Sequence, residues 1–440
     1  MHWSSKSLAL LTLSLSATVL VGPLMAEKAP RGVPTITVPA NDAAWRESIE
    51  QELRGNILPF WIKHTVDHER GGFYGEITND LKVDKNAVRG ALLTSRILWT
   101  YSSAYSRYKD PAYLEMAKWA YDDLIKVYWD NEYGGLYWTA SADGKPMRRD
   151  KQIYGQVFGV YALSEYYRVT HDQAALDKAI QIYRLVEEHA KDPVNGGYFE
   201  GCSREWKREG AKARNVTGGK GTKTQNTHIH ILEAYTNLLR AWPDEGLKKS
   251  HRDLIEVLIT KIVDPKTHHL ILFLSDDFKP QGTDISYGHD IEFSWLLTEA
   301  ADVQGDAALK ERAKAVALDI AAVTLAEGVD TDGSLFYESE PGGKTDEHRE
   351  WWPQAESAVG FYNAYQLSGD DKYRQTAMRE WGYIEAFMVD HKNGEWFRAR
   401  TKAGKVVNRE AKVSLWKCPY HNGRSCLELL ERLEKTSAAR

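Results

Sequence analysis

The chain has 440 residues, and 57 Lys and Arg stand against 62 Asp and Glu, which gives a formal net charge of -5 at pH 7. That balance excludes a basic nucleic-acid-binding surface as the dominant property, and an apolar share of 42% is ordinary for a soluble globular protein. Most of the 15 Trp and 23 Tyr suit a core, but a subset lining a cleft would stack on the apolar faces of sugars.

The first 26 residues have the pattern of a secretory signal peptide. Lys6 supplies a weak positive start, the apolar run LALLTLSLSATVLVG follows, and Ala26 precedes a plausible cleavage site. The run is too short and too rich in Ser and Thr to suit a membrane span, which favours a signal peptide. An uncleaved membrane anchor is the alternative. We therefore expect a secreted or periplasmic protein that has no membrane attachment after cleavage.

Residues 27–40 are rich in proline and small side chains and predict a linker or extended arm. From residue 41 onward, apolar positions recur at helical spacing. Short marks of glycine and aromatic residues interrupt this pattern roughly every 60–70 residues, with two helical stretches between successive marks. Glycine suits a tight turn, and the aromatic residues that follow suit a short extended segment. The marks are RGGFYGE at 70, YGGLYWT at 133, NGGYFEG at 195, THHLILF at 267, TDGSLFYE at 331 and KNGEWFRA at 392.

Six such units predict about twelve helices. A single core normally stops growing beyond ~250–300 residues, but a ring of helix pairs avoids that limit because its apolar layer is annular. We therefore predict an all-α fold, an (α/α)6 barrel over residues 41–435, with short β-hairpin segments in its loops and a tail at 436–440. An open helical solenoid is the alternative. In a closed ring the inner helices point their ends at one mouth, where loops build a site.

One loop, residues 202–225, departs from this rhythm because it is long, basic and rich in glycine. A lid over the mouth and a plain solvated insertion are both open interpretations. Asn215 begins an Asn-Val-Thr pattern that matters only if the chain passes through a eukaryotic secretory pathway.

The three cysteines, Cys202, Cys418 and Cys426, are too few and odd in number for a disulfide framework. Cys418 and Cys426 are near in sequence, but their spacing fits neither CxxC nor a zinc-binding pattern. The sequence therefore predicts no metal site.

Two histidines occur in the helical segment NTHIHILEAYTNLLR. On a helix His228 and His230 point about 200° apart, so only one of them can face the ring interior. Asn226, His230 and Glu233 share one stripe, whereas His228 shares its face with apolar residues. We therefore predict that His230 is functional and that His228 packs in the core.

A third histidine stands in ISYGHDIEFSWLLTEA. His289 and Glu292 are three residues apart and lie on one helical face, where a carboxylate can orient an imidazole and raise its basicity. Gly288 leaves room for close approach, and Asp290 points elsewhere and suits a cap. An ion pair on the helix surface is the alternative interpretation.

The stretch WKCPYHNGR, residues 416–424, precedes the last predicted helix. Pro419 fits the start of that helix, which places His421 in its first turn. The positive end of a helix lowers the pKa of an imidazole and favours a neutral base. Arg96, Tyr154 and the segment WWPQAE at 351–356 would meet the histidines at the same mouth, although each could equally be a packing or surface residue.

Two histidines with ordinary pKa values of about 6.5 can exchange acid and base roles near neutral pH. Glycoside hydrolysis would instead use a pair of carboxylates, which composition leaves open. Proton abstraction beside a carbonyl suits imidazoles better. At carbon 2 of an open-chain aldose, removal of the proton gives an enediolate, and its return on the other face inverts the stereocentre.

The segments NTHIHILEAYTNL, ISYGHDIEFSWLL, WWPQAE and WKCPYHNGR resemble the cellobiose 2-epimerases of the N-acylglucosamine 2-epimerase superfamily, and the resemblance extends over nearly the whole chain after the linker. It implies an (α/α)6 barrel and cofactor-free, metal-free epimerisation at carbon 2 of the reducing-end sugar of a β-1,4-linked disaccharide, such as cellobiose to glucosyl-mannose. It implies a small-molecule disaccharide as the binding partner. Separately, we expect a monomeric protein. A signal peptide is unusual for this family.

Carried over motif by motif, the resemblance implies that His289 and His421 are the acid/base pair and that His230 supports ring opening. The residues it implies for sugar binding are Arg96, Tyr154, Asn226, Glu292, Trp351, Trp352 and Trp416, with the stacking indole left open between Trp351 and Trp352. Mannobiose epimerisation and aldose–ketose isomerisation on the same site are alternatives. A glycosidase on the same barrel and a non-catalytic sugar-binding protein are more distant ones.

Overall fold

Thirteen α-helices form the framework within residues 34–208, 221–340 and 345–438, which the computed structural model describes. The predicted signal peptide at 1–26, the Asn215 acceptor pattern and the centre of the 202–225 loop lie outside these residues. No helix in this described part is long and apolar enough to cross a membrane. The helices are α1 Asp42–Glu52, α2 Leu58–His64, α3 Ala91–Tyr108, α4 Pro111–Asp123, α5 Ile153–Thr170, α6 Gln173–His189, α7 Gln225–Ala241, α8 Glu245–Val257, α9 Tyr287–Gln304, α10 Ala307–Glu327, α11 Trp351–Ser368, α12 Asp371–Tyr383 and α13 Tyr420–Ala438.

Six of these helices form a closed inner ring. Helices α3, α5, α7, α9, α11 and α13 each pack against the next, and α13 packs back on α3. The outer layer pairs α4 with α3, α6 with α5, α8 with α7, α10 with α9, α12 with α11 and α1 with α13. The predicted (α/α)6 barrel is therefore confirmed, and the open solenoid is excluded. Helix α13 continues to Ala438, so residues 436–438 belong to the last helix rather than to a tail.

The two layers differ in the pattern of their buried residues. Inner helix α5 is buried continuously from Ile153 to Tyr166, because it contacts neighbours on all sides. Outer helix α8 buries one stripe only, which includes Leu247, Leu254 and Ile255. Most outer helices begin at an aspartate whose side chain accepts a backbone N–H of the first turn, a strong N-cap. These N-caps are Asp110, Asp172, Asp244, Asp306 and Asp370.

Short two-residue strands mark the loops where the glycine and aromatic marks occur. They pair antiparallel, and five of them directly precede inner helices, so the N-termini of those helices converge at the end of the barrel that carries the strands. The strands are β1 Arg89–Gly90, β2 Thr139–Ala140, β3 Lys151–Gln152, β4 Gly201–Cys202, β5 Lys223–Thr224, β6 Phe273–Leu274, β7 Ile285–Ser286, β8 Glu338–Ser339, β9 Thr345–Asp346, β10 Arg349–Glu350 and β11 Ala399–Arg400.

A buried ion pair recurs at this end of the barrel. An aspartate at the start of a hairpin binds a lysine or arginine in the segment that leads into the next inner helix, as in Lys223 Nζ to Asp192 Oδ2 at 2.8 Å. In that pair the side chains are 0% and 3% exposed. Each pair fastens a turn to the base of an inner helix. The five pairs are Arg89–Asp67, Lys151–Asp130, Lys223–Asp192, Arg349–Asp330 and Lys412–Asp390.

Candidate active site

Equivalent positions on the inner helices build the centre of the barrel. The sixth residue of each of α3, α5, α7, α9 and α11 contributes a side chain to one cluster around α13. The Arg96 guanidinium lies 4.4 Å from the centre of the Phe158 ring, whose centroid is 4.9 Å from that of His230. Glu292 and Glu356 both reach Arg424 of α13. The helical repeat thus places one chemical group per unit on the ring axis.

A cavity of about 450 Å³ opens at the end where the inner helices begin. Every residue predicted to act on or bind a substrate lines it, so the structure brings the whole predicted set together. These are His230, His289, His421, Arg96, Tyr154, Asn226, Glu292, Trp351, Trp352 and Trp416.

Arg424 donates hydrogen bonds to carboxylates from three other inner helices behind the cavity wall. Its Nη1 donates to Glu233, and its Nη2 donates to Glu292 at 2.5 Å and to Glu356 at 2.7 Å. Burial would raise the pKa of Glu233, but the guanidinium outweighs it and lowers that pKa to about 2. Burial, followed by the repulsion of Glu356, raises the pKa of Glu292 to about 7. One guanidinium therefore fixes three helices around the site.

His421 lies in the first turn of α13, as predicted. Its Nδ1–H donates to Glu356 Oε1 at 2.7 Å, which leaves Nε2 as the ring nitrogen available to a ligand. Burial, followed by the positive charges of Arg96 and Arg424, holds the pKa of His421 well below its usual range. The sequence suggested that the helix terminus would lower this pKa, whereas burial is the main cause of the shift.

His289 has a different partner from the one its spacing suggests. The sequence pairs it with Glu292, yet Glu292 turns to Arg424, and the His289 Nδ1 contacts Ser286 Oγ at 2.8 Å. Burial, followed by the nearby His230, lowers the pKa of His289 to about 3. The pKa of this imidazole is therefore low, and its Nδ1 contacts a hydroxyl rather than a carboxylate.

The two histidines of α7 divide as predicted. His230 lines the cavity, and its Nδ1 contacts Glu233 Oε2 at 2.9 Å. His228 accepts the Tyr198 N–H at 2.9 Å on Nε2 and donates from Nδ1 to the Thr224 carbonyl at 2.6 Å. His228 therefore joins a hairpin to the start of α7 and takes no part in the cavity.

Arg96 is fully buried at the cavity wall. Its Nη2 donates to Tyr154 Oη at 2.8 Å, its Nη1 donates to the Trp416 carbonyl at 3.3 Å, and the Cys418 thiol lies 3.9 Å from Nη1. Within the described part of the chain, no carboxylate is among its hydrogen-bond partners. A buried guanidinium without a carboxylate is suited to stabilise negative charge on a bound molecule.

Three indoles border the cavity. Trp352 lies against both neutral histidines, with ring centroids 4.5 Å from His289 and 5.6 Å from His421. Trp351 meets His421 edge-on at 6.1 Å, and Trp416 lies 5.8 Å from Tyr154. Of the two adjacent tryptophans, Trp352 is therefore the one that contacts both imidazoles.

Several buried polar atoms of the lining lack a hydrogen-bond partner among the residues described. They include Arg96 Nε, Gln225 Oε1, Asn226 Oδ1 and Glu292 Oε2. Buried polar atoms without partners are costly, and hydroxyl groups of a ligand would satisfy donors and acceptors alike. The cavity thus suits a polar, hydroxyl-rich molecule.

Glu292, Glu356 and His421 offer ligand atoms that lie within 4.8 Å of one another, a spacing that a metal ion could bridge. However, the Arg424 guanidinium donates to both carboxylates. The positive charge that these groups require is therefore supplied by the protein itself.

Sequence reasoning missed the outer part of the lining and the residues that support it. Glu338 and Glu350 stand at the mouth, where burial raises the pKa of each to about 7. Glu395 occupies a left-handed backbone position (φ 61°) that glycine occupies in the first three hairpins. It accepts from Lys417 at 2.5 Å and from Asn422 at 2.7 Å, on either side of the turn that carries His421. The unusual Gly-Glu-Trp sequence was the available signal.

Comparisons with known proteins show which family the chain is similar to. A family model described as N-acylglucosamine 2-epimerase (GlcNAc 2-epimerase) matches residues 72–422. The chain is 42% identical over 390 residues to the cellobiose 2-epimerase of Bacteroides fragilis, covering 88% of this chain and 99% of that protein. It is 39% identical over 389 residues to the cellobiose 2-epimerase of Dictyoglomus turgidum, with 88% and 98% covered. The solved structure of cellobiose 2-epimerase from Bacillus thermoamylovorans B4167 matches with a TM-score of 0.85 at 41% identity, over 89% of this chain and 100% of that one.

Proposed function

The chain belongs to the N-acylglucosamine 2-epimerase family and is a carbohydrate epimerase, an isomerase, and from that membership we propose that it inverts carbon 2 of the reducing-end sugar of a β-1,4-linked disaccharide. Cellobiose would give glucosyl-mannose. Family membership favours this reaction over hydrolysis or sugar binding without conversion.

In the proposed reaction two imidazoles act on opposite faces of carbon 2. With the sugar ring open, the Nε2 of one histidine of the pair His289 and His421 removes the proton beside the aldehyde, which gives a cis-enediolate. The other histidine enters the step protonated at Nε2 and donates that proton to the opposite face of carbon 2, where the enediolate electron pair forms the new C–H bond. The two imidazoles end with their protonation states exchanged, and proton exchange with solvent restores them. Imidazoles that stay neutral at neutral pH suit the abstraction step.

The observation that carries this proposal is the convergence of two imidazoles on one cavity. His289 and His421 each have Nδ1 engaged by the protein, by Ser286 and Glu356, and both rings contact Trp352. In this arrangement Nε2 of each ring is the nitrogen that can reach a substrate. Trp352 would stack on the sugar and hold its carbon 2 between the two bases.

The other lining residues take supporting roles in the proposal. Arg96 would stabilise the negative charge of the enediolate, and Tyr154 would orient the guanidinium through their shared hydrogen bond. His230, supported by Glu233, would assist ring opening. Asn226, Glu292, Trp351 and Trp416 would bind sugar hydroxyls and ring faces. The carboxylates Glu292 and Glu356 are less suited to glycoside hydrolysis, because both are engaged by Arg424.

Solvent isotope incorporation tests the proposal directly. Purified protein is incubated in D2O with cellobiose, mannobiose, glucose or mannose, and the products are separated and analysed by NMR. We expect a product with mannose at the reducing end and deuterium at carbon 2 from cellobiose. Ketose formation would reveal isomerisation, and a β-mannosyl preference would appear as faster turnover of mannobiose. No product and no label with either disaccharide would contradict the proposal.

The acid/base roles have their own test. His289→Ala and His421→Ala should each lower kcat by about 10²–10⁴-fold, the usual contribution of a general acid or base. Circular dichroism confirms that each variant keeps its helices. Near-normal turnover in both folded variants would overturn the assignment.

We also propose that the protein is exported and acts as a monomer. The composition of residues 1–26 supports export, and N-terminal sequencing of the protein recovered from the native host would begin near Glu27. Light scattering would report the mass of a single chain.

A further inference from the structure

Ser286 stands at the N-cap of α9 but does not act as a helix cap. A serine at this position normally accepts a backbone N–H of the first helical turn. The Thr224 hydroxyl does so at the equivalent place before α7, where it accepts from the Thr227 N–H at 3.1 Å. The Ser286 side chain makes no such bond and contacts His289 Nδ1 at 2.8 Å instead.

The three histidines of the cavity differ in what supports them. Glu356 holds Nδ1 of His421, and Glu233 holds Nδ1 of His230. Only Ser286 holds Nδ1 of His289 among the described residues, and that serine is fully buried. A hydroxyl can orient an imidazole as a carboxylate does, but it adds no negative charge that would favour the imidazolium.

From this contrast we infer that Ser286 is a positioning residue for His289, an inference that rests on the proposed function. By accepting the Nδ1–H, its oxygen selects the tautomer whose lone pair is on Nε2, and it fixes the ring against Trp352. The cap hydrogen bond is absent because the hydroxyl serves the ring. The acid/base pair is therefore built asymmetrically, with one base supported by a neutral group and the other by a carboxylate.

A pair of isosteric substitutions tests this inference. Ser286→Thr keeps the hydroxyl, whereas Ser286→Val has the same shape without it, and both β-branched residues suit the extended backbone here (φ -114°). We expect kcat for cellobiose to be about three- to tenfold lower in Ser286→Val than in Ser286→Thr, the range of one hydrogen bond between neutral groups. KM should stay within about twofold, because the serine contacts the base and not the sugar. Ser286→Ala should behave like Ser286→Val.

Asp172→Ala is the matched control, since Asp172 is a true N-cap on outer helix α6, away from the cavity. It should lower the melting temperature and leave kcat unchanged. Equal kcat in Ser286→Thr and Ser286→Val, or an unchanged kcat in Ser286→Ala, would overturn the inference. An unmodified protein that converts no disaccharide would instead overturn the proposed function, and the inference with it.

Discussion

At the scale of single residues, the carboxylate behind His421 decides which ring nitrogen is left free toward the cavity. Glu356 accepts the Nδ1–H of His421 and a hydrogen bond from Arg424 on the same oxygen. A neutral amide in its place can donate to Nδ1 and stabilise the wrong tautomer.

Glu356→Gln should therefore lower kcat by roughly 10²–10⁴-fold with a much smaller change in KM. Steady-state kinetics on cellobiose would measure both constants. The control is Glu380→Gln on α12, outside the site, where burial holds the pKa of Glu380 well above its usual range. That variant should turn over normally, and equal losses in both variants would contradict the assigned role of Glu356.

Residue spacing together with the family resemblance predicted which side chains meet in the cavity, but not how they pair. His289 has Ser286 three positions before it and Glu292 three positions after it, and helical geometry places both within reach. The choice is made by Arg424, which comes from a helix far along the chain and attracts Glu292. A pattern confined to one helix carries no information about that competing partner.

At the scale of elements, the fourth residue of several inner helices fastens the helix to a hairpin. The fourth residue of α5 is Gln156, which binds both the N–H and the carbonyl of Leu136, and Gln354 of α11 does the same with Leu335. In α7 the equivalent residue is His228. Burial, the main cause, lowers the pKa of His228 to about 4.

His228 should therefore make the fold sensitive to acid. Its pKa in the folded state is about 4, below the ordinary value of 6.5. Between these two pH values the unfolded chain therefore binds more protons than the folded chain. The stabilising contribution of the neutral ring is complete above pH 6.5 and is lost as the pH falls toward 4. His228→Gln copies the glutamines at the equivalent positions. Between pH 7 and pH 4.5, its free energy of unfolding should fall by about 2–3 kcal/mol less than that of the unmodified protein. Urea unfolding at both pH values measures this, and an identical pH response in both proteins would contradict it.

The recurring buried ion pairs are a second feature at this scale. Lys223 donates to Asp192, to the Gly196 carbonyl and to the Asp276 carbonyl, each within 2.8 Å. Lys223→Met should lower the free energy of unfolding by about 3–5 kcal/mol, because it leaves a buried carboxylate without its partner. The exposed pair Lys249–Asp253 is the control, and Lys249→Ala should leave the urea midpoint nearly unchanged. Similar midpoints for the two variants would show that the buried pair adds little.

The sequence revealed the hairpins but not these pairs. Glycine favours tight turns and aromatic residues favour extended segments, so the spacing of these residues along the chain predicted the hairpins. Lys223 and Asp192 lie 31 residues apart, and a lysine in a polar stretch looks like a surface residue. Its burial results from the next hairpin covering it, which only the assembled ring determines.

At the scale of the whole molecule, the ring closes because α13 packs between α11 and α3, with α1 on its outer side. The annular argument from the six marks predicted this closure. The cavity depends on it, because Arg96 of α3 contacts the segment just before α13.

Closure predicts that the barrel unfolds and loses activity together. An open array of repeats can lose its end units first, whereas a ring has no end unit to fray. Calorimetry, near-ultraviolet circular dichroism and residual activity should therefore follow one transition with a shared midpoint. Separate transitions, with activity lost before most of the helical signal, would contradict a closed cooperative ring.

The contact between Arg96 and Trp416 joins residues that are 320 positions apart. A ribosome adding about 5–20 residues per second needs roughly 15–65 s to travel that distance. For that interval the nascent chain holds Arg96 without Trp416, so the wall of the cavity is incomplete. Until the segment that carries Trp416 has been made, the ring of helices therefore stays open.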